Sequence, residues 1–213
     1  MTVVHLGEKE RPRRSSLFRR QVTPGVLLLV ILGLVVFRIW ILEMAIVDGP
    51  SMEGTLLEND RVLVLKPMPV ERFDVVVFRD PEEGIPVIKR VVAVPGDVVE
   101  IEPHIVNWQG EEIREGGQLY VNGTAYDEPY AKSVAPIQLG PLTVPRDRYF
   151  VLGDNRDESI DSRAYGAVPG RSIHGVAAAI VYPFSRAGKV KGGAEPAGPM
   201  AARAEVRRIA VRP

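Results

Sequence analysis

Polar and apolar positions divide this chain into stretches of different texture. Between Val26 and Phe37 there is no polar side chain, and from Pro24 to Leu42 the only charge is Arg38. That length sits at the lower end of the roughly 17–25 residues that a membrane-spanning helix needs. Arg38 lies near the far end, where its long stem reaches the interface beside Trp40. Beyond Glu43 the texture changes to short runs of branched and aromatic residues, each bounded by Pro, Gly, Asp or Asn. These predict strands at Asp60 to Lys66, Asp74 to Arg79, Val87 to Val94, Val98 to Ile101, Tyr149 to Leu152 and Gly175 to Tyr182. Pro95-Gly96-Asp97 and Val121-Asn122-Gly123-Thr124 read as turns, the second a short hairpin. No apolar period of helical type recurs outside the first run. The expectation is a mainly β fold of antiparallel sheet, closed or folded on itself, behind one N-terminal helix.

The same texture divides the chain. Residues 1–23 form a basic tail, with Lys9, Arg11, Arg13, Arg14, Arg19 and Arg20 against Glu8 and Glu10. Residues 24–42 are the anchor, and 43–184 the β domain, in which 104–145 is a polar, turn-rich excursion. Residues 185–213 turn to Gly, Ala, Pro and Arg and are expected to lack fixed structure. A removable signal peptide is the alternative to an anchor, but Glu43-Met44-Ala45-Ile46-Val47-Asp48 offers no good pair of small residues for a cut. By the positive-inside rule the basic tail is cytoplasmic and the β domain extracytoplasmic, in a single-pass protein.

Composition narrows the chemistry. Lys plus Arg balance Asp plus Glu at 27 each, so no overall charge points to nucleic acid. The absence of cysteine removes disulfides, thiol nucleophiles and cysteine-ligated metal. Three histidines, His5, His104 and His174, stand in no zinc or HExxH pattern. A serine hydrolase with a different base remains. Lys89 lies within an apolar strand, and alternation gives it the face of Val87, Val91 and Ala93. Desolvation there disfavours the ammonium and brings the amine within range of general-base work. Ser51 stands in Gly49-Pro50-Ser51-Met52, where Gly49 lets a substrate backbone approach and Ser51 keeps its own N–H as an oxyanion donor. Each has a plain alternative: a strand lysine snorkelling to water, and an exposed turn serine.

Three stretches together resemble a known family. Val47-Asp48-Gly49-Pro50-Ser51-Met52, Lys89-Arg90-Val91-Val92-Ala93-Val94-Pro95-Gly96-Asp97 and Gly153-Asp154-Asn155-Arg156-Asp157-Glu158-Ser159-Ile160-Asp161-Ser162-Arg163 are similar, in that order, to the motifs of bacterial type I signal peptidases. The resemblance runs from the anchor to about Pro183. It implies a fold of two antiparallel sheets, with Ser51 as nucleophile and Lys89 as general base. Ser159 would hydrogen-bond the lysine amine, Asp161 and Arg163 would brace the site as a charge pair, and Asp154 would join that network. Met52 would line the substrate groove and Gly49 would leave the oxyanion hole to backbone N–H. Gly54 stands where a proline is common, which would loosen the turn.

The implied substrates are secretory preproteins, cut after small residues at the bacterial cell membrane, with a lipid bilayer as the other partner. No cofactor, metal or nucleic acid is implied. A self-cleaving or specialised serine/lysine peptidase is the nearest alternative. An inactive anchored binding protein is the more distant one.

Overall fold

The computed structural model describes residues 24–66, 68–108, 111–132, 138–190, 192–193 and 195–196. The basic tail and most of the C-terminal tail lie outside these residues. An 18-residue helix, α1, covers Pro24–Ile41. Its Val26, Leu27, Leu28, Leu29 and Val30 side chains are all exposed. Those of Arg38 and Trp40 lie outside the described ones. Among the described residues no helix is long and apolar enough to cross a membrane. A spanning anchor is therefore not established by the fold, whereas an apolar helix at the expected place is.

The strands follow in chain order: β1 Leu42–Ile46, β2 Arg61–Leu65, β3 Val75–Arg79, β4 Pro86–Ala93, β5 Val98–Trp108, β6 Glu111–Val121 and β7 Thr124–Asp127. Then come β8 Leu139–Thr143, β9 Arg148–Leu152, a one-turn helix α2 at Ser162–Tyr165, β10 Val168–Pro169, β11 Ile173–Tyr182, β12 Gly188–Lys189 and β13 Glu195–Pro196. They form two antiparallel sheets. The first runs β1-β2-β11-β3-β4-β9-β10, with β12 on β11, and the second runs β13-β7-β6-β5-β8. The expected excursion is the long β5–β6 hairpin and its neighbours in the second sheet, and the Asn122-Gly123 turn joins β6 to β7.

The strands of the first sheet are apolar at successive positions, so their side chains enter clusters on both faces. Val62 and Val64 of β2 join Val47, Met52, Leu56, Val75, Ala177 and Ile180 in one buried cluster. The opposite side of β3 and β4 supplies Val76, Phe78 and Val91 to a second cluster with Val151, Val168 and Val176. A third, with Val92, Ala93, Val99, Ile101, Leu119 and Phe150, extends into the second sheet.

Two expectations change. The β4–β9 register shifts between Val91 and Ala93, and Ala93 packs with Val92 in the third cluster rather than with Val91. The bulge turns Ala93 off the lysine's face. Past Phe184, where no fixed structure was expected, β12 pairs Lys189 with Ala179 and Gly188 with Ile180, and β13 pairs Glu195 with Asp127 and Pro196 with Tyr126. The free edge of β11 supplies hydrogen-bonding partners that the Gly-Lys sequence does not advertise.

Candidate active site

The Ser51 turn is compact because its carbonyls are used locally: Glu53 N donates to Pro50 O, and Thr55 N and Leu56 N both donate to Met52 O. Gly54 has φ +117, and a Cβ there would meet the Tyr130 carbonyl at 2.4 Å. A proline, with φ fixed near about −65°, could not take this conformation. Glycine here tightens the packing of the turn against Tyr130 instead of loosening it.

Lys89 Nζ lies 2.7 Å from Ser51 Oγ. The lysine is only 6% exposed, between Val87 and Val91, both of which pack in the second cluster. Burial drives its pKa below the ordinary value; Asp161, Asp80 and Asp154 oppose this, and Arg163 reinforces it. Desolvation is the largest effect, so burial shifts the balance toward the neutral amine. The two residues that sequence reasoning paired are in contact.

The third motif lies beneath them. Asp161 is buried and caps α2, accepting from the Arg163 amide. Its carboxylate also accepts from Gly153 N at 2.9 Å, from Ser159 Oγ at 2.8 Å and from Arg163 Nε at 2.8 Å. Asp161 and Arg163 form an ion pair. Ser159 differs: among the described contacts its hydroxyl donates to Asp161, not to the lysine. The carboxylate two residues away accepts the hydroxyl proton at 2.8 Å. Met52 differs too. It is fully buried in the first cluster, so in this structure it supports the turn from within and offers no surface to a substrate. Gly49 is open, with nothing within 4 Å of a would-be Cβ.

Several residues that hold this geometry carry no role in the sequence reading. Arg90 is fully buried. It donates from Nε to Asp154 Oδ1 at 2.8 Å, from Nη2 to Asp154 Oδ2 at 2.7 Å and to Thr55 Oγ1 at 3.0 Å, and from Nη1 to the Phe73 carbonyl at 2.8 Å. Its guanidinium also stacks 3.8 Å from the Tyr130 ring. Asp154 thus belongs to the network through Arg90. Asn155 ties the third motif to the Ser51 turn: its N–H donates to the Ser51 carbonyl at 3.1 Å, and Nδ2 to the Pro50 carbonyl at 3.2 Å. At Gly153 a Cβ would meet Ser159 Oγ at 2.2 Å and the Ser51 carbonyl at 2.6 Å, so the two segments touch only because no side chain intervenes. The signal for Arg90 was present, a second cation inside an apolar strand. For Asn155 and Thr55 there was none, since their partners are remote in sequence.

His174 is exposed on β11, and the His104 side chain lies outside the described ones. Among the described residues no three His, Asp or Glu side chains are placed to hold a metal ion.

A hydroxyl in contact with a buried amine, on a braced turn, can attack a carbonyl. Comparison with known sequences agrees with that chemistry. The family described as signal peptidase, peptidase S26, matches residues 19–182. This chain belongs to that family. Signal peptidase I P of Bacillus subtilis subsp. natto is 32% identical over 200 residues, covering 86% of this chain and 98% of its own length. Signal peptidase I of Leptolyngbya laminosa is 33% identical over 180 residues, covering 79% and 81%. A solved signal peptidase I from Enterococcus faecalis V583 is 33% identical, covering 51% of this chain and 97% of its own, with a TM-score of 0.38. Family membership makes the protein a peptidase of the signal-peptide-removing kind.

Proposed function

We propose that this protein is a membrane-anchored serine endopeptidase in which Ser51 is the nucleophile and Lys89 the general base. The observation that carries the reading is the 2.7 Å contact between Lys89 Nζ and Ser51 Oγ, made by an amine whose pKa burial lowers. Neutral Lys89 takes the proton of Ser51 as Oγ attacks the scissile carbonyl. The developing oxyanion is met by backbone N–H at the Gly49–Ser51 turn. Lys89, now charged, returns the proton to the leaving amine, and an acyl-serine remains. Water, deprotonated by the same lysine, then releases the signal peptide and regenerates the hydroxyl. No cofactor enters these steps.

The substrate is a secretory preprotein, cut after small residues. It would lie as an extended strand along an open sheet edge: β1 pairs with β2 alone, and β9 pairs with β4 only from Arg90 onward. Shallow apolar subsites would exclude larger side chains. The exposed apolar surface of α1 and the basic residues before Pro24 support a bilayer anchor with a cytoplasmic N-terminus.

The test is incubation of the detergent-solubilised protein with a preprotein, with product masses read directly. One cut after a small residue is expected from the unaltered protein. None is expected from Ser51→Ala, from Lys89→Ala or from the double variant. The two single losses should not add, because the pair acts as a unit. Full activity in either single variant sinks the mechanism.

A further inference from the structure

Beyond β11 the backbone enters a short 3-10 turn at Phe184–Arg186, and Arg186 comes back beneath the loop that carries Ser51. Its Nη2 donates to the Thr55 carbonyl at 3.1 Å and lies 3.2 Å from Asp60 Oδ2. Asp60 is 1% exposed, and the same carboxylate oxygen accepts the Leu57 amide at 2.9 Å. Arg186 thus holds both the last carbonyl of the Ser51 turn and the carboxylate that closes the loop after it. From the other side Arg90 holds the Thr55 hydroxyl. A shift of Thr55 passes to Met52 through the Thr55 N to Met52 O bond, and Met52 is covalently next to Ser51.

The arginine is itself fixed from behind. β12 pairs with β11, Val190 N donates to Ala178 O at 3.0 Å, and Val190 packs on the cluster that buries Met52 and Leu56. Among the described residues Arg186 Nη1 is buried without a hydrogen-bond partner.

We propose that Arg186 is a positioning residue for the nucleophile. By gripping Thr55 and Asp60 together it fixes the C-terminal end of the Ser51 turn and keeps Oγ within reach of Lys89. The inference rests on the reading of Ser51 as nucleophile. A guanidinium presents its donors in a fixed fork, which a lysine ammonium does not reproduce.

The experiment compares the full chain with Arg186→Met and Arg186→Lys. It measures kcat and KM on a preprotein well below the melting temperature, the pH–rate profile, and amide hydrogen exchange over residues 52–57. For Arg186→Met, kcat should fall about 10–100-fold, the scale of an ångström-sized misplacement. KM should stay within about twofold and the acid limb should not move, because Lys89 is untouched. The Thr55, Leu56 and Leu57 amides should exchange faster. Arg186→Lys should recover only part of kcat.

A lowered melting temperature with unchanged kcat would show a merely structural residue and overturn the proposal. Should Arg186→Met fail to fold, full kcat in Arg186→Lys would overturn it equally. If the unaltered protein cuts nothing, it is the nucleophile reading that falls. Exchange at residues 52–57 then still decides: unchanged rates in the variants would overturn the grip as well.

Discussion

At the scale of single residues, the site turns on one amine held where a charge is costly. In the folded protein the Lys89 pKa lies below the ordinary 10.5 because burial penalises the ammonium. If the neutral form is the base, the rate should rise with pH through that lowered pKa, and Lys89→Arg, permanently charged, should have no plateau. A single-turnover pH–rate profile checks this; an acid limb that instead followed His174 would identify a different base.

The same shift has a thermodynamic counterpart. Above pH 10.5 folded and unfolded chains both carry a neutral lysine, and the burial penalty vanishes. As pH falls, the unfolded chain takes up a proton that the folded one resists, and stability is lost until the folded pKa is passed. Lys89→Met should therefore be inactive yet more stable than the natural protein near neutrality, with the gap closing toward pH 10.5. Melting temperatures across pH measure it.

The contact between Ser51 and Lys89 was legible because each stands in an unusual setting, a glycine-proline turn and an apolar strand. The partner of Ser159 was not, because a hydroxyl can bond either an amine or a carboxylate, and only the folded loop decides which it meets. The burial of Met52 was not either, since a turn's position in sequence says little about which way its side chains face the core.

At the scale of elements, β4 carries two consecutive cations to the nucleophile turn. Successive side chains leave a strand on opposite sides; Lys89 reaches Ser51, and Arg90 reaches Thr55 and Asp154. The Arg90–Asp154 pair has no exposed side-chain surface, so removing one partner strands a buried charge. Arg90→Met should cost about 3–5 kcal/mol of unfolding free energy, and Arg90→Met with Asp154→Leu should recover much of it. Chemical denaturation of the three proteins measures both values. Recovery of stability without recovery of activity would show that the pair positions the turn as well as filling space.

The strands themselves were readable wherever a short run of branched and other apolar residues stands between turn residues, as in β2, β3 and β11. β1 escaped because Leu42 to Ile46 runs on from the apolar helix with no turn residue between them. β12 escaped for the opposite reason, since glycine and lysine pair there only because β11 offers an open edge.

At the scale of the whole molecule, one expectation concerns orientation. The basic residues before Pro24 should hold the N-terminus in the cytoplasm, leaving the two-sheet domain outside. Protease added to intact spheroplasts should then digest that domain, whereas digestion only after lysis would reverse the topology. The order of strands carries a different consequence, one of time. β11 lies between β2 and β3, both of which are made well before it. Roughly a hundred residues separate Leu65 from Ile173, so at about 5–20 residues per second β2 waits about 5–20 s for its neighbour. Until then its edge is unpaired, the cluster that buries Met52 lacks Ala177 and Ile180, and Arg186 does not yet exist. On the proposed mechanism, a chain still being made would hold Ser51 loosely, and the site would tighten only once β11 and Arg186 had joined it.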